Sequence, residues 1–154
     1  KIVPLYNKME IKRWDTTEMK YRLLRILLFV GAFGWGVSAI GIFVPWETAV
    51  TGLQGLGAGD IPADPMLNYW LRMAAGAFTG IGGVYFITGL WPKYFSNIIG
   101  ILGILSVGEG IVLLVHGLRL GLRPFPFYGD VSFCLLIGTG IWALKPEAQK
   151  TEQG

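Results

Sequence analysis

The sequence has few charged residues and almost none of the side chains that build metal or redox sites. Charged residues make up 15% of the 154 positions, whereas 53% are hydrophobic. There is one cysteine and one histidine, which excludes a disulfide framework, a paired-cysteine redox motif and a histidine-based metal triad within one chain. The motifs of zinc proteases, serine hydrolases and P-loop enzymes are also missing. We therefore expect no catalytic residues, no metal and no cofactor, apart from a bound lipid or quinone.

The hydrophobic residues form four blocks instead of spreading evenly along the chain. A soluble domain of this length cannot bury so much apolar surface, and about 20 apolar residues span a bilayer as a helix. The blocks predict an all-α membrane protein, an antiparallel bundle of four transmembrane helices. The predicted spans cover about residues 21–45, 66–91, 96–121 and 127–145. Residues 1–18 are predicted as an N-terminal extension, 19–145 as the transmembrane domain and 146–154 as a tail.

The basic residues are distributed unequally between the two sides of the predicted membrane. Several Lys and Arg residues precede the first span, whereas the loop 45–65 contains none. By the positive-inside rule both termini are cytoplasmic and this loop lies outside. Because the basic residues flank spans and do not form a patch interleaved with aromatic residues, we expect no nucleic-acid partner.

Two local patterns predict how the first span and its following loop are organised. Asp15 and Glu18 have the spacing of a capping box, which predicts a helix start near Thr16. The loop that follows the first span is rich in glycine, a composition that favours turns. We expect at most one short interfacial turn there, over residues 48–53.

Acidic residues and prolines mark the ends of the later spans. Asp64 followed by Pro65 predicts the start of the second span, and Pro92 predicts its end. The third span is expected to start near Ser96. Asp130 is expected to cap the start of the fourth span.

Most of the 23 glycines lie inside the predicted spans, where they are not turn formers. Small residues repeated every four positions let helix backbones approach closely in lipid. We interpret these positions as helix contacts within the bundle or as a surface that docks against another subunit. The predicted contact residues are Gly76, Gly80, Gly83, Ser106, Gly110, Gly117 and Gly121.

Ionisable residues inside the spans are the candidates for a functional site, because charge is costly to insert into lipid. Glu109 lies near the middle of the third span, and His116 returns to the same helical face. Arg72 of the second span is expected at about the depth of His116, within reach of Glu109. The sequence thus predicts an Arg72–Glu109 ion pair with His116 and Asp130 as neighbours, in a polar pocket open toward the outer face. Arg119 is expected at the edge of the same face of the third span.

Three interpretations of this polar network stay open. It holds the four helices in register, as buried ion pairs can. Alternatively, it binds an amphiphile whose anionic or carbonyl head meets Arg72, Arg119 or His116. The tail then lies among leucines and Phe78, Phe125 and Phe127. The third interpretation is proton or ion movement through Glu109.

Two stretches of sequence resemble a family of uncharacterised bacterial four-span membrane proteins. They read DPMLNYWLRMAAG over residues 64–76 and EGIVLLVHGLRLG over residues 109–121, and residues 124–133 add to the likeness. The resemblance covers about residues 19–144. It implies the four-helix architecture and a place in the bacterial inner membrane, and it implies nothing about activity.

Two functions therefore stand as predictions. The first is a non-catalytic accessory or structural subunit of a larger inner-membrane assembly, whose partners are membrane lipids and other membrane subunits or further copies of the chain. The second is a binding protein for a lipid or quinone-like amphiphile in the pocket that contains Arg72, Glu109 and His116. An enzyme acting on a lipid would need turnover that depends on Glu109.

Overall fold

The computed structural model describes the backbone of residues 4–145 and the side chains of residues 18–145. Within this part all regular structure is helical, and four helices are long and apolar enough to cross a membrane. The elements are α1 (Pro4–Gly36), α2 (Ile40–Phe43), α3 (Trp46–Gly55), α4 (Pro65–Leu90), α5 (Ser96–Arg119) and α6 (Pro124–Leu144), with a 3-10 turn, Val37–Ala39, between α1 and α2. The first span, Glu18–Phe43, combines the end of α1 with α2. The predicted tail, 146–154, lies outside the described residues.

The start of α1 differs from the prediction. The helix is continuous from Pro4, so a helix start near Thr16 is wrong. Between Pro4 and Gly31 the sequence contains no further proline or glycine, and nothing in this stretch interrupts helical backbone. The predicted extension and the first span therefore belong to one helix.

The start of α4 confirms the prediction made from Asp64 and Pro65. The Asp64 carboxylate accepts a hydrogen bond of 2.7 Å from the Met66 backbone N–H, and proline occupies the first turn. α5 begins at Ser96, as predicted. α6 spans Pro124–Leu144 with a break at Phe125, whose backbone is extended (φ −107°, ψ 134°), so Asp130 lies inside the helix that continues from Pro126 and its predicted role as a cap is wrong. Proline at the first helical position already favours the earlier start.

The loop after the first span contains a longer helix than predicted. α3 has ten residues, whereas the sequence predicted at most a turn over 48–53. The glycines end this helix and do not prevent it. Gly57 has φ +104°, its N–H donates to the Gln54 carbonyl at 2.9 Å, and the Ala58 N–H donates to the Leu53 carbonyl at 3.0 Å. This is a Schellman cap, in which a left-handed glycine satisfies the last carbonyls of the helix.

α1 and α4 pack closely along most of their length. A Cβ atom on Gly82 would lie 2.7 Å from the Gly36 backbone nitrogen, so the two backbones touch at this point. Gly31 likewise lies directly over the ring of Tyr85, a residue that is 1% exposed. The contacts run in opposite directions along the two spans. Gly31 lies on Tyr85, whereas Gly41, later in the first span, lies on Ala75, earlier in α4.

α5 and α6 form the second close pair. A Cβ atom on Gly103 would lie 3.0 Å from the Gly138 carbonyl oxygen, and one on Gly117 would overlap the Phe127 ring. α6 also packs against α1, where Phe133 covers Gly34. The direct contact between α4 and α5 is smaller. Its polar part is the hydrogen bond between the Tyr85 and Ser106 hydroxyls.

The predicted glycine contacts divide into two groups. Gly110 and Gly117 lie in the α5–α6 contact, and Ser106 is 5% exposed beneath Tyr85. A packing role within the bundle is wrong for Gly76, Gly80 and Gly83, because no atom lies within 4 Å of a Cβ added at any of them. Gly121 also makes no such contact, and its φ of +62° shows that it ends α5 as a left-handed cap.

The adjacent residues Gly82 and Gly83 give a matched test of the α1–α4 contact. We expect Gly82→Ala to lower the free energy of unfolding by about 1–3 kcal/mol, because the methyl group meets rigid backbone. Gly83→Ala adds the same methyl group in open space and is expected to change it by no more than about 0.5 kcal/mol. Unfolding by dodecyl sulfate titration in mixed micelles, followed by circular dichroism, measures both values. Equal effects would show that the backbones do not touch at Gly82.

Candidate functional site

Arg72 of α4 caps the end of the first span. Its Nη1 atom lies 2.9 Å from the carbonyl oxygens of both Gly41 and Ile42, and its Nε donates to Asn68 Oδ1 at 3.1 Å. In a regular helix the Gly41 carbonyl would accept from the residue four positions on, which is Pro45 and has no N–H. The guanidinium thus supplies the donor that the backbone lacks.

Arg25 makes the equivalent contact at the other end of the same helix pair. Its Nε donates to the Gly89 carbonyl at 3.2 Å, just before α4 ends ahead of Pro92. The guanidinium also lies 5.8 Å from the centroid of the Phe29 ring. The first span and α4 therefore each give one arginine to the last carbonyls of the other, where positive charge is also favoured by the helix dipole.

The predicted ion pair between Arg72 and Glu109 is wrong. Within the part of the chain that the structure describes, Arg72 forms no ion pair with Glu109. All the hydrogen bonds of Arg72 go to Asn68 and to the first span. The reason is that α4 packs mainly on α1 and makes only a small contact with α5. Arg72 therefore lies apart from the other predicted site residues.

A cavity of about 440 Å³ lies at the end of the bundle that carries α3, and we call it the end cavity. Its polar side chains are His116, Arg123 and Asp130. Its apolar walls come from α3 and the loop after it, from α5 and from the start of α6. The apolar side chains are Leu53, Leu56, Ala58, Leu113, Leu120, Leu122, Phe125, Pro126 and Phe127.

Two left-handed glycine caps shape the rim of the end cavity. Gly57 closes α3, and the Arg123 side chain lies against it, since a Cβ atom on Gly57 would be 2.8 Å from Arg123 Cδ. Gly121 closes α5 with the Leu122 N–H donating to the Gly117 carbonyl at 3.1 Å. The tight ends of α3 and α5 thus place Arg123 among the residues that line the cavity.

A second cavity of about 290 Å³ lies between α1, α4, α5 and α6, and we call it the inner cavity. Glu109 and Asp130 supply its carboxylates, and Ser38 and Cys134 line it as well. Three aromatic side chains, Trp35, Phe78 and Phe133, form much of the remaining wall. Asp130 and Leu113 line both cavities, so the two spaces adjoin.

The structure brings together three of the five predicted site residues. Glu109 lines the inner cavity, His116 lines the end cavity and Asp130 lines both. Glu109 and His116 line adjoining cavities because they share the predicted face of α5, on which Glu109, Leu113 and His116 recur at helical spacing. Arg119 lines neither cavity and is exposed at the last turn of α5.

The sequence analysis did not select Arg123 or Trp35 for the site. Arg123 stands between two turn signals, Gly121 and Pro124, which could have indicated a basic side chain held at the bundle end. Trp35 is one turn away from Ser38 on the first span, so the two share a helical face. No signal in the sequence shows that this face meets Glu109, because that depends on how α1 and α5 pack.

Each cavity combines a few polar side chains with a wide apolar wall. Among the described residues, no group of three His, Cys, Asp or Glu side chains is placed to hold a metal ion. The end cavity offers hydrogen-bond donors beside a wide apolar wall. The inner cavity offers two carboxylates within an aromatic enclosure. Both patterns are typical of sites that hold a small amphiphilic molecule.

Comparison of the chain with protein-family models, with curated proteins and with solved structures gave no significant match. The resemblance to the bacterial four-span family therefore stays a prediction.

The position of Arg72 predicts a role in stability. We expect Arg72→Leu to lower the free energy of unfolding by about 1–3 kcal/mol, since the Gly41 and Ile42 carbonyls lose a charged donor. Arg119→Leu, which removes an exposed arginine near the same end of the bundle, is expected to have little effect. Thermal unfolding in detergent compares the two variants. A stable Arg72→Leu protein would contradict the capping role.

Proposed function

We propose that the protein binds a lipid or quinone-like amphiphile in the end cavity. The observation that carries this proposal is the meeting of Arg123 and His116 with a broad apolar wall in one space of about 440 Å³. Ligand pockets commonly occupy about 300–1,000 Å³ and combine apolar lining with a few convergent polar groups. The end cavity has this composition and this size.

The polar groups favour a head that accepts hydrogen bonds. The Arg123 guanidinium is a permanent donor, and the imidazole of His116 can donate through one of its nitrogens. Asp130 lies on the far wall, shared with the inner cavity, and it disfavours a strongly anionic head nearby. A carbonyl or zwitterionic head beside Arg123, with its tail along Phe125 and Phe127, satisfies these constraints.

We further propose that the four spans form an antiparallel bundle with both termini in the cytoplasm of a bacterium. The opposite progress of the α1–α4 contacts supports the antiparallel arrangement. The absence of Lys and Arg from the loop 45–65 supports an outer position for α3. In this topology the end cavity opens toward the outer face. An accessory role in a larger membrane assembly stays a prediction beside this one.

Substitution of Arg123 tests the binding site. In dodecyl maltoside we expect decylubiquinone or a short-chain phosphatidylethanolamine to bind Arg123→Gln about tenfold more weakly than the unmodified protein, the loss typical of one charge-assisted hydrogen bond. Arg119→Gln removes a nearby arginine that lines neither cavity and serves as the matched control. Isothermal titration calorimetry measures each affinity. Equal binding by both variants, or no saturable binding by the unmodified protein, would refute the proposal.

Cysteine labelling tests the topology. With Cys134 replaced by alanine, we expect Gln54→Cys to react with a membrane-impermeant maleimide on intact bacterial cells, because Gln54 is exposed on α3. A cysteine introduced at Gln149 is expected to react only after the cells are opened. The opposite labelling pattern would place both termini outside.

A further inference from the structure

The inner cavity contains two carboxylates inside segments that cross the membrane. Glu109 lies near the middle of α5 and Asp130 in the first half of α6, and both line the cavity. The polar side chains of the described spans mostly bond to backbone carbonyls or to each other, as Thr79, Thr88 and Thr139 do. Within the described part of the chain, no hydrogen bond or ion pair involves either carboxylate. Glu109 is half-buried and Asp130 is exposed, and a carboxylate within a membrane span is costly unless a positive group joins it.

The chain does not supply that positive group in the part that the structure describes. No lysine or arginine lines the inner cavity. Arg72 is held by the Gly41 and Ile42 carbonyls. Arg123 lies at the end cavity, against Gly57. The cavity therefore presents negative charge with no basic side chain among its lining residues.

Three aromatic rings line the same cavity as the two carboxylates. The ring centroids of Trp35 and Phe78 lie 5.3 Å apart, and those of Trp35 and Phe133 lie 6.3 Å apart in an edge-on arrangement. All three residues line the inner cavity. The faces of such rings attract cations, and tryptophan does so most strongly. Carboxylates and aromatic rings around one space are two independent features that favour the same kind of ligand.

The donor set favours an organic cation over a bare metal ion. A metal site needs several oxygen, nitrogen or sulfur ligands around one point, and no such group of three occurs among the described residues. A space of about 290 Å³ with aromatic walls instead suits a charged group that carries its own apolar substituents. We infer that the inner cavity binds a small organic cation, such as a quaternary ammonium group, between Glu109, Asp130 and the Trp35 ring. This goes beyond the proposed function, because the cavity and the polarity of its ligand both differ.

Two probes of nearly the same shape separate charge from apolar fit. Phenyltrimethylammonium carries a permanent positive charge, and tert-butylbenzene is its neutral counterpart. Equilibrium dialysis against the protein in nanodiscs, with empty nanodiscs subtracted, measures the binding of each. We expect saturable binding of phenyltrimethylammonium that the neutral probe does not match. The double variant Glu109→Gln, Asp130→Asn is expected to bind the cation at least about tenfold more weakly.

Glu47→Gln is the matched control, because it removes an exposed carboxylate of α3 that lines neither cavity. The double variant is expected to fold, since neutral amides are less costly in lipid than carboxylates. If it does not elute as a single species, Glu109→Gln alone decides the test. Equal binding of the two probes, or cation binding that survives loss of the carboxylates, would overturn the inference. The binding of decylubiquinone in the end cavity is tested separately through Arg123. Either proposal can therefore fail while the other holds.

Discussion

Pro45 removes the backbone N–H from which the Gly41 carbonyl would otherwise accept a hydrogen bond, and Arg72 of the neighbouring helix supplies the missing donor at 2.9 Å. In lipid, a backbone carbonyl that lacks a partner has no water to replace it. Arg25 does the same for the Gly89 carbonyl at the opposite end of the α1–α4 pair. The two arginines hold the first span and α4 together at both ends, and the Gly82–Gly36 contact brings their backbones together in between.

This pairing determines where the remaining polar groups lie. Because α4 is held on α1, the polar face of α5 does not meet Arg72, and Glu109 and His116 face cavities. α6 packs against both α5 and α1 and carries Asp130 to the wall between the two spaces. The caps at Gly57 and Gly121 then place Arg123 among the residues that line the end cavity. The positions of the candidate sites therefore follow from the way the first two spans supply hydrogen-bond donors to each other's backbone carbonyls.

The sequence was sufficient for the features that depend on local chemistry. Four apolar blocks predicted four spans, Asp64 and Pro65 predicted the start of α4, and the spacing of Glu109 and His116 predicted one polar face on α5. These properties follow from hydropathy, capping and helical period, which act within a few residues.

The features that depend on which helices touch were not predictable in the same way. Arg72 was expected at about the depth of His116 and within reach of Glu109, and the packing of α4 on α1 keeps Arg72 away from Glu109. Gly80 and Gly82 are equally small, yet only Gly82 faces another backbone. The glycines after α3 suggested an irregular loop, whereas Gly57 serves as the cap of a ten-residue helix. In each case the residue type indicated the kind of contact, whereas tertiary structure determined which residue makes that contact.

Native mass spectrometry of the protein, released from its own membrane in a mild detergent, tests the central claim most directly. A ligand-binding protein is expected to appear as one chain of 16.9 kDa or a small homo-oligomer, carrying a reproducible small-molecule adduct that gentle activation removes. A much larger mass containing other polypeptides, with no adduct on the released chain, would contradict ligand binding and favour an accessory subunit.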